Sequence, residues 1–90
     1  MKISSDYKLR DIAGEKVLTC ETDKNIDMNK LISLNESAVY LWDKLKELEN
    51  FDEDDMVRLL KKEYDVSENE ALADCLELIQ QWQEMNVIQK

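Results

Sequence analysis

The apolar residues of this chain change their spacing once, at Asn35. Before Asn35 there are short stretches rich in β-forming residues, and the only glycine, Gly14, separates the first two. After Asn35, apolar residues recur every three or four positions in three successive segments, which is the period of an amphipathic helix. The chain has no proline to interrupt these segments. Strands followed by helices predict an α+β fold, with helices on one face of an antiparallel sheet.

Three strands are predicted, over residues 6–12, 16–22 and 30–34. The first two form a hairpin, because Ala13-Gly14-Glu15 offers a turn in which glycine adopts a positive φ. The polar stretch 23–29 is predicted to be a loop. With three helices behind this small sheet, the expected arrangement is winged-helix-like, in one domain that spans residues 1–90.

Three helices are predicted, over residues 35–48, 53–64 and 68–85. Each has a capping residue before its first turn, namely Asn35, Asp52 and Ser67. Asp52 and Ser67 are followed three residues later by Asp55 and Glu70, the spacing of a capping box. At the end of the third helix, Asn86 suits the left-handed conformation, and Val87 can then pack near Trp82.

Each helix has an apolar stripe. In the first helix the stripe is Ala38, Leu41, Trp42, Leu45 and Leu48. In the third helix it is Leu72, Cys75, Leu76, Ile79 and Trp82, widened by Ala71, Leu78 and Met85. The third helix is more apolar than one packing face requires. We therefore expect it to pack on two sides, or to pack on one side and offer the other to a partner.

The net charge disfavours several classes of partner. Twelve Lys and Arg stand against 21 Asp and Glu, for a formal charge of −9. This charge disfavours binding to nucleic acid and to anionic membrane surfaces. Residues 1–34 are balanced, so the whole excess lies in the helical part. We hypothesise that this part favours a peptide with basic residues, bound with an affinity that falls as salt rises.

Chemistry-bearing motifs are missing from the sequence. There is no histidine, no glycine-rich phosphate loop, and the cysteines Cys20 and Cys75 are far apart. A zinc site or a Cys-His nucleophile would lack its parts, so we expect no cofactor, no metal and no enzymatic activity. The acidic run 52–55 is interpreted as a helix start rather than a cation site. No apolar run approaches the ~20 residues that span a bilayer, and cytoplasmic residence is the default expectation.

The third strand offers a further possibility. Residues Leu31 to Leu34 carry no charge, and Lys30 precedes them. At a sheet edge, such a strand would lack the usual protection by proline or charge clusters. It could then accept a peptide as an added strand, or a second copy in an edge-paired or strand-swapped dimer. The alternative is a strand that is paired on both sides or covered by a helix, and periodicity does not separate the two.

The ordered elements resemble the PqqD-like family. The residues that carry the resemblance are Leu34-Asn35 before a helix, Ala38 and Trp42, Glu63-Tyr64, Val66-Ser67, Asp74 in the third helix, and Met85-Asn86-Val87-Ile88. The resemblance covers nearly the whole chain. The family often has glycine after the first helix and near the C-terminus, where this chain has Glu49-Asn50 and Asn86.

The resemblance implies a peptide-recognition element for ribosomally made, modified peptides. Members of the family are similar in fold to winged helices. They bind the leader of a precursor peptide as a strand added to the third β-strand, beside the third helix. They present it to a modifying enzyme, commonly a radical SAM enzyme, as in pyrroloquinoline quinone (PQQ) biosynthesis. On this sequence the strand would be Lys30, Leu31, Ile32, Ser33 and Leu34, and the helical wall Ala71, Asp74, Cys75 and Leu78.

Two other functions are weighed against this one. An adaptor that binds a segment of another protein, outside peptide maturation, would use the same surface. A DNA-binding winged helix is disfavoured, because residues 67–85 contain five acidic side chains and no Lys or Arg to contact phosphates.

Overall fold

The computed structural model describes residues 1–21 and 26–89. Within these ranges the elements are β1 (Lys2–Ile3), β2 (Tyr7–Ile12), β3 (Glu15–Glu21), β4 (Ile26–Ser33), α1 (Glu36–Leu45), α2 (Glu53–Glu63), α3 (Glu68–Glu84) and β5 (Ile88–Gln89). Strands β2, β3 and β4 form an antiparallel sheet in that order, and the three helices follow it. The predicted α+β fold of three strands followed by three helices is therefore confirmed.

The hairpin between β2 and β3 closes over a two-residue turn. Ile12 pairs with Glu15, and the intervening Ala13 and Gly14 have φ values of 54° and 86°. Two successive positive φ values give a turn whose twist matches that of the flanking strands. A Cβ added to Gly14 would meet no atom within 4 Å. Glycine is favoured here by backbone conformation and not by lack of space.

Strand β4 is longer than the sequence suggests. It begins at Ile26, so the loop predicted over 23–29 is wrong for its last four positions, while residues 22–25 lie outside the described ranges. The register shifts along β4: Thr19 pairs with Leu31, but the next residue, Cys20, pairs with Asp27. A polar segment of this kind becomes a strand through pairing with its neighbour rather than through its own propensity. A register irregularity of this kind bends and twists a strand locally.

A second, two-stranded sheet joins the ends of the described chain, and the sequence did not indicate it. Lys2 pairs with Gln89 and Ile3 with Ile88, and the Ser4 N–H donates to the Val87 carbonyl at 2.7 Å. Two-residue strands are too short to show any periodicity. They form because the end of α3 returns the chain to β1.

The helix ends follow the capping signals. Asn35 Oδ1 accepts the Ala38 N–H at 2.9 Å, and Ser67 Oγ accepts the Glu70 N–H at 3.1 Å. The predicted capping box at α2 has both of its bonds, from the Asp55 N–H to Asp52 Oδ1 and from the Asp52 N–H to Asp55 Oδ2. After α3, Asn86 has a φ of 62° and the Val87 N–H donates to the Trp82 carbonyl at 2.8 Å. These caps stabilise helix ends by about 1 kcal/mol each.

Helix α1 ends earlier than predicted. Its last residue is Leu45 instead of Leu48, and Leu48 lies in the connection to α2 with 41% of its surface exposed. The Leu48 N–H donates to the Leu45 carbonyl, which is the tighter bond of a final 3₁₀ turn. This shift takes Leu48 off the apolar stripe of the helix.

One hydrophobic core joins the sheet to all three helices. Its fully buried members include Leu18 of the sheet, Leu45 of α1, Met56 of α2, and Cys75 and Trp82 of α3. The apolar face that the sequence predicted for α3 is partly wrong. Ala71, Cys75, Ile79 and Trp82 face the core, whereas Leu72 and Leu76 are exposed. Leu72 and Leu76 each lie about 100° around the helix from the buried residue that precedes them.

Candidate functional site

Strand β4 is an edge strand of the described sheet, since its pairing there is with β3 alone. The Leu34 N–H donates to the Lys16 carbonyl at 2.9 Å, so the backbone of Leu34 faces β3. In an antiparallel ladder, backbone groups alternate in direction from one residue to the next. Ile32 therefore also bonds toward β3, while the N–H and C=O groups of Leu31 and Ser33 point away from the sheet. This edge can accept a further strand.

The side chains of β4 alternate between the two faces of the sheet. Ile32 lies in the core, in one rung with Leu18 and Leu9. Leu31 and Ser33 are exposed on the opposite face, with Leu31 39% exposed. For Lys30 the structure describes the backbone of the strand only. Of the predicted strand residues, Leu31 and Ser33 thus offer both outward-facing backbone groups and accessible side chains.

Two observations place helix α3 relative to the sheet. At its C-terminal end, the Tyr7 hydroxyl donates to the Met85 carbonyl at 2.5 Å. Tyr7 pairs with Cys20, which pairs with Asp27 near the start of β4. Toward its middle, α3 lines a cavity together with Asn35, two residues past the end of β4. The C-terminal end of α3 is thus held against β2, and its middle lies close to Asn35, just past the end of β4.

One face of α3 includes residues that line this cavity. It consists of residues at three- and four-residue spacing, namely Asp74, Leu78, Gln81 and Met85. Asp74 and Gln81 are exposed, and Leu78 and Met85 are partly buried against the core. We call this set the α3 stripe. It has an apolar base and polar side chains toward solvent.

The α3 stripe borders a cavity of about 220 Å³ that lies between α1, α2 and α3. We call it the α1–α3 cavity. Asn35, Ser37, Ala38 and Leu41 line it from α1 and its cap, Leu60 from α2, and Asp74, Glu77, Leu78 and Gln81 from α3. Sequence reasoning missed Asn35, Ser37, Glu77 and Gln81. Helical spacing from Asp74 and Leu78 would have found Gln81, whereas the α1 residues come close only through the packing of the helices.

Two of the predicted wall residues face the core instead of the protein surface. Ala71 and Cys75 have no exposed surface, so neither side chain can touch a peptide on this fold. Burial raises the pKa of the Cys75 thiol to about 11, with a smaller contribution from the charge of Asp74. The other two predicted wall residues, Asp74 and Leu78, lie on the α3 stripe, with Asp74 exposed and Leu78 partly buried.

Leu34 lies at a different depression. Together with Gly14, Lys16, Asn35 and Val39, it lines an open depression of about 640 Å³ between the hairpin turn and the start of α1. Asn35 borders both this depression and the α1–α3 cavity. The end of β4 is therefore flanked by two concave surfaces.

Charges are distributed unevenly around the site. Among the described residues, no lysine or arginine lines the α1–α3 cavity, and neither Asp74 nor Glu77 forms an ion pair. On the outer sheet face, Arg10 binds the Glu21 carboxylate through both oxygens, at 2.8 and 2.5 Å. The Arg10 bonds, followed by that from Thr19, lower the pKa of Glu21 to about 2.

The described chain brings together no group of three or more His, Cys, Asp or Glu side chains that could hold a metal ion. Over the same residues, no helix combines the length and the apolar character that a membrane crossing requires.

The fold and this site define a small α+β protein in which the described sheet ends at β4, close to a cavity lined by all three helices. Residues 7–88 match the family model described as coenzyme PQQ synthesis protein D (PqqD). The match covers nearly the whole chain, which therefore belongs to the PqqD family, as the resemblance read from the sequence indicated. Comparisons with curated proteins and with solved structures returned no match.

Proposed function

We propose that this protein binds the leader segment of a ribosomally made precursor peptide as an added strand on β4. It then presents the peptide to a modifying enzyme, commonly a radical SAM enzyme in this family, and performs no chemical step itself. Membership of the PqqD family supports a role in PQQ synthesis or in related peptide maturation. The observation that carries the binding mode is the pair of outward-facing backbones at Leu31 and Ser33.

An added strand would make use of both the β4 edge and the α3 stripe. A peptide on β4 gains main-chain hydrogen bonds from Leu31 and Ser33, which give affinity without reading sequence. Its side chains alternate, so every second one faces the α3 stripe and the others lie beside Leu31. Leu78 and Met85 offer apolar surface to the first group, while Asp74 and Gln81 offer polar partners. Sequence preference would come from these contacts.

The charge of α3 supports a peptide over DNA as its partner. Its acidic side chains include Asp74 and Glu77, which are exposed at the α1–α3 cavity. A helix with this charge would repel phosphates, whereas a peptide strand carries no such charge along its backbone.

The test is a titration of isotope-labelled protein with the short peptides encoded beside its gene, followed by backbone amide NMR. Shifts confined to residues 31–35 and to the α3 stripe are expected. The Ser33→Pro variant removes an outward N–H and no hydrogen bond within the sheet, so it should weaken binding at least tenfold while the protein stays folded.

Asp11→Pro is the matched control. Asp11 lies on β2, the opposite edge of the described sheet, and its backbone also faces outward by the alternation of the β2–β3 ladder. This variant should bind peptide like the wild type. Equal loss of binding in both variants, or amide shifts centred elsewhere in the protein, would contradict strand addition at β4. Binding of a peptide from an unrelated protein instead of a neighbouring precursor would favour the adaptor function.

A further inference from the structure

The α1–α3 cavity has the amphipathic character of a site for one long side chain. Its apolar lining consists of the partly exposed Leu78 and the nearly buried side chains of Ala38, Leu41 and Leu60. Two carboxylates, Asp74 and Glu77, stand on α3 at its rim, and both are exposed. Within the part of the chain that the structure describes, neither has an ion-pair partner. A ligand group that fits must be apolar along its length and positive at its end.

Lysine and arginine side chains have this character, since their methylene stems pack on apolar surface while the charged group stays in water. We infer that the α1–α3 cavity takes a lysine or arginine side chain of the peptide that adds to β4. This inference rests on the proposed function and specifies the peptide that it selects. An aspartate or glutamate would meet two like charges, and a purely apolar side chain would leave the rim carboxylates without a partner.

The N-terminus of α1 also faces the cavity and, unlike the two carboxylates, favours an anion there. A helix N-terminus carries roughly half a positive charge, which attracts anions. Here the Asn35 side chain already accepts the Ala38 N–H, and the acidic Glu36 stands in the first turn. Two full negative charges from Asp74 and Glu77 exceed the half charge of the helix end. The cavity therefore favours a cation.

The geometry also fixes where the basic residue stands in the peptide. The cavity adjoins Asn35, just beyond the C-terminal end of β4. A peptide that extends the described antiparallel sheet runs against β4, so its N-terminal part lies near Ser33 and Asn35. The lysine or arginine thus precedes the residues that pair with Leu31 and Ser33.

The test is a selection from a display library of random short peptides, performed on the wild type and on the Asp74→Asn/Glu77→Gln variant. Wild-type protein should enrich lysine or arginine at one position, N-terminal to an alternating apolar segment. The double variant should retain the apolar pattern and lose that enrichment. Synthetic peptides from the selection should bind it about three- to tenfold more weakly than the wild type, and this difference should shrink as salt rises.

Glu47→Gln/Glu49→Gln is the charge-matched control. Both of these carboxylates are exposed near the α1–α2 connection and neither lines the cavity. This variant should keep the lysine or arginine preference, and an equal loss in both variants would reduce the effect to net charge and overturn the inference.

The selection separates the inference from the proposed function. Peptides whose binding is lost in Ser33→Pro, but which lack a positioned basic residue, would leave strand addition standing and overturn the inference alone. Enrichment of aspartate or glutamate would do the same. If no peptide binds the wild type, the proposed function fails and the inference falls with it.

Discussion

The Tyr7 hydroxyl donates a hydrogen bond to the Met85 carbonyl oxygen at 2.5 Å, across 78 positions of the chain. Tyr7 is the first residue of β2, and Met85 caps the end of α3. The carbonyl at a helix end has no partner within the helix, so this phenol satisfies a group that would otherwise need water. The bond fixes the C-terminal end of α3 against β2 of the sheet.

Tyr7→Phe should therefore loosen the end of α3. Removing the hydroxyl leaves the Met85 carbonyl without this donor, and a loss of about 1 kcal/mol in the free energy of unfolding is expected. Hydrogen exchange should quicken at residues 83–87 more than elsewhere. Urea unfolding gives the first quantity, and amide exchange measured by NMR gives the second.

Tyr40→Phe provides the comparison for that variant. The Tyr40 hydroxyl donates to the Leu59 carbonyl at 3.2 Å and joins α1 to α2, away from the end of α3. It should lower stability by a similar or smaller amount and leave exchange at residues 83–87 unchanged. Faster exchange there in both variants would show that Tyr7 acts through global stability alone.

The elements that the sequence predicted are those encoded locally. Asn35, Asp52 and Ser67 cap their helices through side chains that reach only three residues, and Gly14 turns the hairpin through its own backbone. Chain composition and short spacing are enough for such features.

What the sequence missed depends on distant parts of the chain. The β1–β5 pair exists because Val87 returns to Ser4, and the early part of β4 is a strand because β3 pairs with it. The wall beside β4 was placed around Ala71 and Cys75, since periodicity identifies the faces of a helix but not which face meets the core. Burial of Cys75 decided that question only once the packing of α2 and the sheet was known.

The Cys75 thiol should be unreactive in the folded protein. It is fully buried, and its pKa is raised to about 11, so at pH 8 only about one thiol in a thousand is ionised. A disulfide reagent should label it at a rate set by opening of the structure, and labelling should become fast in denaturant. The rate is measured in a Cys20→Ala background, in which Cys75 is the remaining cysteine. Fast labelling of the native protein would contradict the orientation of α3.

The Arg10–Glu21 pair should make the thermal stability of the protein depend on pH in the acidic range. The pKa of Glu21 is lowered from 4.5 to about 2, first by the Arg10 hydrogen bonds and then by that from Thr19. A carboxylate with a depressed pKa stabilises the fold fully above its unfolded value, and this contribution is lost as pH falls from about 4.5 toward 2. Glu21→Gln should therefore have a lower melting temperature than the wild type at pH 7. This difference in melting temperature should shrink as the pH falls from about 4.5 toward 2.

Thermal melts at several pH values test this, with Glu15→Gln as the control. Glu15 lies on the same strand, is exposed, and has no ion pair among the described residues. Its replacement should leave the wild-type pH profile in place. If the difference in melting temperature between the wild type and Glu21→Gln stayed constant down to pH 2, the ionised carboxylate would not be what stabilises the hairpin.

Trp82 offers a test of how an unpaired buried donor affects the core. The side chain is fully buried, and its indole N–H has no hydrogen-bond partner in the described structure. Trp82→Phe and Leu45→Ala remove the same number of non-hydrogen atoms from fully buried positions. Leu45→Ala should cost about 2–5 kcal/mol. Trp82→Phe should cost less, because it also removes a buried donor whose burial alone costs about 1–3 kcal/mol. Urea unfolding of the two variants measures the difference, and an equal or larger cost for Trp82→Phe would show that the indole N–H is satisfied in solution, for instance by a bound water.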